Sequence, residues 1–531
     1  MQTLSRPKLY LRNWTRDRGV HSNCRSRIAA AFLAVVSLPA SAAILHVSTV
    51  SPSPAPPYAD WATAANTIQD AVDAAQVGDT ILVNDGLYAI GGRSVDGGNS
   101  GNRVAIDRAI SVQSVNGPGV TVIDGVNSVR CAYVGNSAVL SGFTLTKGFA
   151  FAAGGVQSEA SGAVTNCHIA GNSAFRGGGG ALGGTLYNCT LTGNRSRTGG
   201  GAHSATLYNC TLTSNSSALD GGGATGSSLY FCTLTDNSAE DGGGVSSSST
   251  LYNCTLANNR CGRNGGGAEF STLHNCTLTG NIGGPGGGTF VCSLYNCTLT
   301  GNSSGGGSGG GAYGGTLYNC VLTGNSSGAN GGGAYGGGTL YNCLLTGNSA
   351  AVGGGGSSDC TLYNCTVSGN TSGLVPGGGV LRSILNNCIV YFNTAPDGPN
   401  YDPASTFSYS CTTPLPLSGV GNIGDEPGFV DPAGLDYHLL LGSPCINAGN
   451  NQDWMIGATD LDGNPRISWG TVDMGAYEFL VPALGPWTSH GKYVSAVARV
   501  GVEFVARGLI TEAQKDAFVS AAANSDVGKP K

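Results

Sequence analysis

Charge is scarce in this chain. Asp, Glu, Lys and Arg together make 11% of its 531 residues, and only thirteen of them fall between Ala150 and Ala395. Past Glu269 that stretch holds just Asp359 and Arg382. Hydrolysis of a glycosidic bond normally needs two carboxyl groups held at a set separation, so the second half of the stretch cannot supply that chemistry. Excess positive charge is absent too. The net charge is −6 and the pI near 5.6, which argues against nucleic acid as a partner. Glycine is abundant, at 89 residues, but shows no Gly-X-Y period, which excludes collagen. After residue 42 no apolar run is long enough to span a bilayer.

The N-terminus carries what the rest lacks. Seven basic residues up to Arg27 face a single Asp, and an apolar run from Ile28 to Leu38 follows, then Ala40-Ser41-Ala42. Basic, apolar and small residues in that order read as a secretory signal over residues 1–42, and the expected location is secreted or at the cell surface. Residues 43–59 read as a linker.

Cysteine is frequent and periodic. From Cys167 through Cys189, Cys210 and Cys232 to Cys411, twelve cysteines recur every 21 to 23 residues. Each follows a Leu-Tyr-Asn-like triplet, and most units also carry a Gly-Gly-Gly run and an Asn five residues beyond the cysteine, as at Asn172 and Asn194. Gly, Ser, Asn and Thr disfavour helix, and short segments alternating with period two read as strands. A circuit of about 22 residues fits a coil of short strands joined by turns, stacked into a solenoid. The reading is all-β, a right-handed parallel β-helix solenoid over residues 111–411, its hand taken from the general preference of parallel crossovers.

Within Leu186-Tyr187-Asn188-Cys189-Thr190-Leu191, a bend between Asn188 and Cys189 turns Leu, Asn and Cys inward and Tyr187, Thr190 and Thr192 outward. Asn tolerates the left-handed conformation such a bend requires. Stacked coils then build ladders of Leu, Asn and Cys, with Phe231 interrupting the Asn ladder. The cysteines admit two readings. One is a stack of small buried hydrophobes. The other is disulfides or a metal row, although rungs about 4.8 Å apart are wide for a disulfide and one-dimensional for a tetrahedral metal.

At the N-terminal end, residues 60–110, Ile68, Val72 and Ala75 share one helical face, Thr67 is placed to cap the helix, and Thr80 begins a strand. The segment Thr67 to Tyr88 resembles the N-terminal cap of pectate-lyase-like β-helix proteins, and Val120 to Gly125 resembles their next strand and turn. The repeats resemble those of polymorphic outer-membrane proteins. Pro427 to Phe479, within a C-terminal segment of residues 412–479, resembles the signature of choice-of-anchor β-helix proteins of secreted bacterial origin. The resemblance implies the fold and export; proteins of this fold include lyases, hydrolases and adhesins. In the tail, residues 480–531, Tyr493, Val497, Val500 and Phe504 lie at helical spacing, and Thr511 with Gln514 makes a capping box. A small helical hairpin is expected there.

Two columns are candidate sites. Asp220 and Asp241 each precede a Gly-Gly-Gly run, with Glu240 beside Asp241. Stacked carboxylates repel, so the edge is either a solvated acidic turn or a calcium site, with Arg197 and Arg263 as alternative counter-charges. The second column is Tyr187, Tyr208, Tyr230, Tyr252, Tyr295, Tyr318, Tyr341 and Tyr363, with His274 once in place of Tyr. It is either a self-packing ladder or a surface for sugars or a protein partner. The expectation is a non-catalytic structural, adhesive or glycan-binding protein whose ligand is a polysaccharide or cell-surface molecule; the alternative is a polysaccharide lyase or glycoside hydrolase.

Overall fold

The computed structural model describes residues 42–95, 101–481 and 487–529. The expected export signal lies outside the described residues but for Ala42. From Ala42 onward the chain is a parallel β-solenoid with a short N-terminal helix and two C-terminal helices.

A full coil lays down four short strands, the third of them missing from several coils. In one coil these are Thr185–Tyr187, Thr190–Thr192, Arg195–Ser196 and Ala202–His203. Equivalent strands of successive coils pair in parallel and build sheets of sixteen, fifteen and fourteen strands, with two shorter sheets at the third position. Register is kept from coil to coil: Leu186 pairs with Leu207 and Leu207 with Leu229, while Leu191 pairs with Leu212 and Leu212 with Leu234. These leucines are fully buried. Period-two alternation on a strand sends every second side chain inward, and each buried Leu contributes about 1.5–3 kcal/mol.

The cysteine ladder lines the interior. Cys189, Cys210, Cys232 and their successors are buried free thiols. The thiol of Cys189 faces the carbonyls of Tyr187 and Val164, and its backbone N–H points at Cys210 Sγ at 3.4 Å. At Cys360, outside the ladder, burial is the largest of several influences and the thiol is pushed up to about 12. The repeated cysteine is a packing group of modest polarity, set where a thiol can meet a carbonyl.

The asparagine assignment needs correcting. Asn188 takes φ +52° at the corner between two sheets, and that conformation points its side chain outward to solvent. The interior ladder is built from the other Asn of each unit, five residues after the cysteine. Asn194 Nδ2 donates to Asn215 Oδ1 at 3.0 Å and to the Ile169 carbonyl at 2.7 Å, while its backbone N–H also donates to Asn215 Oδ1. The same pattern runs from Asn172 to Asn393. Phe231 therefore stands at an exposed corner with φ +56° and leaves the interior ladder intact through Asn237.

The glycine triplets make room for this ladder. Gly199 has φ +62°, a conformation costly for residues with a Cβ. A Cβ on Gly200 would come within 2.4 Å of the Ser216 carbonyl, and one on Gly201 within 3.1 Å of the Asn215 amide. Triplet and inner Asn are one structural unit.

At the N-terminal end, α1 (Ile68–Ala74) is capped by Thr67 and buries Ile68, Ala71 and Val72. Ile44–Val47, within the expected linker, instead pairs with Thr80–Val83 as the first rung, because Leu45 and Val47 alternate into the core. At the other end, residues beyond Cys411 run back along the flank of the last coils. They cover the outer face of the second sheet where its usual Thr is replaced by Val321, Leu344 and Ile389. The tail forms α2 (His490–Ala506) and α3 (Glu512–Asn524), with the Thr511–Gln514 capping box in place. Phe504 and Phe518 pack on Trp469, and Arg507 donates to the carbonyls of Leu441 and Ser443.

Candidate functional site

The corner between the first and second sheets carries the most regular outward chemistry. All eight tyrosines fall in one column on the outer face of the first sheet, with His274 in the expected place between Tyr252 and Tyr295. Neighbouring ring centroids are 4.6 to 5.3 Å apart and the planes lie within 11° of parallel. Strand spacing alone sets that distance, near the 4.8 Å rung separation. Both faces of each inner ring are therefore taken by its neighbours. The column shows solvent a row of ring edges and hydroxyls, and Tyr187, at its open end, is 41% exposed.

Beside the column runs the row of corner asparagines. Some link to one another, as Asn188 to Asn166 and Asn296 to Asn275. In the last coils they hold the chain's own C-terminal segment. Asn342 Nδ2 donates to the Thr459 carbonyl at 2.7 Å, Asn387 Nδ2 to the Asn450 carbonyl at 3.0 Å, and Asn364 Nδ2 to the Asp473 carbonyl at 3.2 Å. Trp454 meets the edges of Tyr341 and Tyr363. Asn319 Nδ2 also donates to Thr459 Oγ1 at 3.4 Å, whereas from Tyr187 to Tyr295 the C-terminal segment makes no hydrogen bond or ring contact with the ridge among the described residues.

The acidic edge is built from successive coils, with Asp220 bridged to Asp241 across one rung. Arg263 is the counter-charge here: its Nη1 lies 3.2 Å from Glu240 Oε1 and 3.6 Å from Asp241 Oδ2. Asp241 Oδ1 accepts the Asn264 N–H at 3.0 Å. Arg197 forms no ion pair among the described residues. Burial, then the charges of Asp241 and Glu240, hold the Asp220 carboxyl above its usual range. Among the described residues no group of three or more His, Cys, Asp or Glu is placed to hold a metal ion, and calcium bound by Asp220, Glu240 and Asp241 would have to displace Arg263.

One residue of this edge was not singled out from the sequence. Glu269 lies two positions after its glycine triplet, where other coils have Thr225, Ser246 or Phe290. It is buried and accepts the Ser246 hydroxyl at 3.0 Å. Burial, with the charges of Asp241 and Asp220 adding to it, pushes its carboxyl up to about 7.

Comparison with known proteins gives little beyond this. No family model and no curated protein matches the chain. Among solved structures it is similar to a pectate lyase at 14% identity, over 83% of this chain and 97% of that one, with a TM-score of 0.23. It is similar to a rhamnogalacturonan lyase at 14% identity, over 73% and 90%, with a TM-score of 0.27. The A-module of a mannuronan C-5 epimerase from Azotobacter vinelandii matches at 14% identity, over 68% and 95%, with a TM-score of 0.28. The fold of this chain rests on its own strand order.

Proposed function

We propose that the chain is an exported, non-catalytic binding solenoid, and that the open tyrosine–asparagine ridge holds an extended neutral polysaccharide. The observation that carries this reading is the use the chain makes of the ridge itself. In the last coils the corner amides donate to oxygen acceptors, as Asn342 does to Thr459, and an indole sits against tyrosine edges. An uncharged polymer with an oxygen acceptor at each step meets the same donors along Tyr187 to Tyr295, one amide or hydroxyl per rung. Sugar rings would lie against edges and hydroxyls, because the faces of the inner tyrosines are occupied.

The test is retention of the full chain on a panel of soluble and insoluble polysaccharides, with replacement of Tyr208, Tyr230 and Tyr252 by Ser. Binding without release of sugar ends, lost in the triple variant, supports the reading. Equal retention of the triple variant removes the ridge from it. A second reading, a polysaccharide lyase or glycoside hydrolase, is favoured by one observation. Burial, with the charges of Asp241 and Asp220 adding to it, raises the Glu269 carboxyl to about 7, so it keeps a share of its proton near neutral pH, as a general acid requires. Release of reducing or unsaturated ends that disappears in Glu269→Gln would establish it.

A further inference from the structure

A different corner of the solenoid concentrates cations and aromatics that the ridge does not use. The short third-position strands Phe149–Ala150, Ser173–Ala174 and Arg195–Ser196 stack in register, so that Phe149, Ser173 and Arg195 align. The turns after them present Phe151, Phe175 with Arg176, and Arg197. Three phenylalanines stand far into solvent: Phe149 is 48% exposed, Phe151 57% and Phe175 66%. Phe151 and Phe175 stack at 5.9 Å, and Arg176 lies over the Phe151 ring at 6.0 Å. Arg195 and Arg197 line a shallow groove of about 520 Å³ between Phe149 and Leu219.

None of Arg176, Arg195 and Arg197 has a carboxylate partner among the described residues. Three unpaired guanidinium groups within two coils are unusual in a chain of net charge −6 with 11% charged residues. The folding core gains nothing from them, and exposing three phenylalanines costs burial elsewhere.

We propose that this corner docks on an anionic lipid surface. The complementarity is twofold. Three exposed rings and three exposed arginines share one corner, a combination that suits aromatics among acyl chains and arginines at headgroup phosphates. A carboxylated sugar would also meet the arginines, but three phenylalanines 48–66% exposed on adjacent turns make an apolar patch that acyl chains cover more fully than a sugar ring does. The corner is separated in every coil from the tyrosine column by the second sheet, so lipid contact leaves the ridge open.

The test is flotation of the full chain with vesicles of phosphatidylcholine alone and of phosphatidylcholine mixed with phosphatidylglycerol. The chain should float only with the anionic vesicles, and less as salt rises. Replacing both Arg195 and Arg197 by Ser should weaken binding roughly tenfold or more. Replacing both Phe151 and Phe175 by Ser should weaken it at every salt concentration, whereas Phe175→Trp should preserve it. All four positions are exposed, Arg195 on a two-residue strand and the others in the turns beside it, and an unchanged melting transition confirms that the variants fold. Absence of flotation by the folded chain, or equal flotation of both double variants, overturns the proposal. So does capture on an acidic polysaccharide with no vesicle binding, which would assign the groove to carboxylated sugars.

Discussion

Trp454 stands edge-on against Tyr341, ring centroids 5.0 Å apart and planes at 68°. With Asn342 bonded to Thr459 and Asn387 to Asn450, this contact ties the C-terminal segment to the flank of the last coils. Trp454→Ala should lower stability by about 1–2 kcal/mol, since an aromatic pair adds up to about 1.5 kcal/mol beyond the area it buries. The segment should also become the first site of protease cleavage. Limited proteolysis with mass analysis of the fragments checks this, and first cuts within residues 450–460 are expected.

The two asparagine rows should respond oppositely to substitution. Asn237 is buried and is hydrogen-bonded to Asn215, Asn259 and the Leu212 carbonyl. Asn237→Ala strands groups on both neighbouring coils and should cost about 2–4 kcal/mol, at the high end for lost buried hydrogen bonds. Asn209 sits outward at φ +52°. Asn209→Gly keeps that conformation open and should change stability by only a few tenths of a kcal/mol. Denaturant unfolding of the two variants separates them, and an equal loss would contradict the placement of the inner ladder.

What could be read in the sequence follows from which contacts are local. The inward Leu and Cys columns and the outward Tyr column obey simple alternation, so each could be placed from one coil. The inner Asn could not, because alternation breaks at a left-handed corner, and Asn188 and Asn194 are identical in type. Nor could the docking of the C-terminal segment, since Asn387 and Asn319 find partners 63 and 140 residues away. Val321, Leu344 and Ile389 were the available signal: each breaks the outward Thr pattern where something covers it. Glu269 escaped because its environment is made by neighbouring coils, through Ser246 and Asp241. The unpaired arginines beside Phe151 and Phe175 were visible as residue types but not as a cluster.

The thiols should be inert in the folded chain. Sixteen of the seventeen described cysteines are buried and all are free. A thiol reagent should modify few of them before unfolding and the rest on adding denaturant, and mild oxidation should leave the native chain without disulfides. Cys254→Ala should cost about 1 kcal/mol, the scale of removing a small buried group. Rapid native labelling of the ladder cysteines, or a metal retained through dialysis that depends on them, would reverse the packing interpretation.

Stability should fall as pH rises across two adjoining windows. Burial raises the Glu269 carboxyl from its ordinary 4.5 to about 7, so between those values the folded chain binds a proton that the unfolded chain has lost. The stabilising contribution is complete below pH 4.5 and disappears as pH passes about 7. His438 acts in the next window. Burial alone would lower it, but its ring nitrogens lie 2.6 Å from Asp436 and 2.7 Å from Asp462, and these bonds and charges raise it above 6.5. Its contribution is complete below pH 6.5 and disappears as pH passes the raised value. Glu269→Gln keeps a neutral acceptor for Ser246 and should reduce the slope of the lower window, leaving the share of Asp473, which burial also raises to about 7, while His438→Gln should reduce the slope of the upper one. Melting temperatures measured from pH 4 to 9 on the chain and both variants decide it, and a slope unchanged in Glu269→Gln would show that the Glu269 proton is not held as its burial implies.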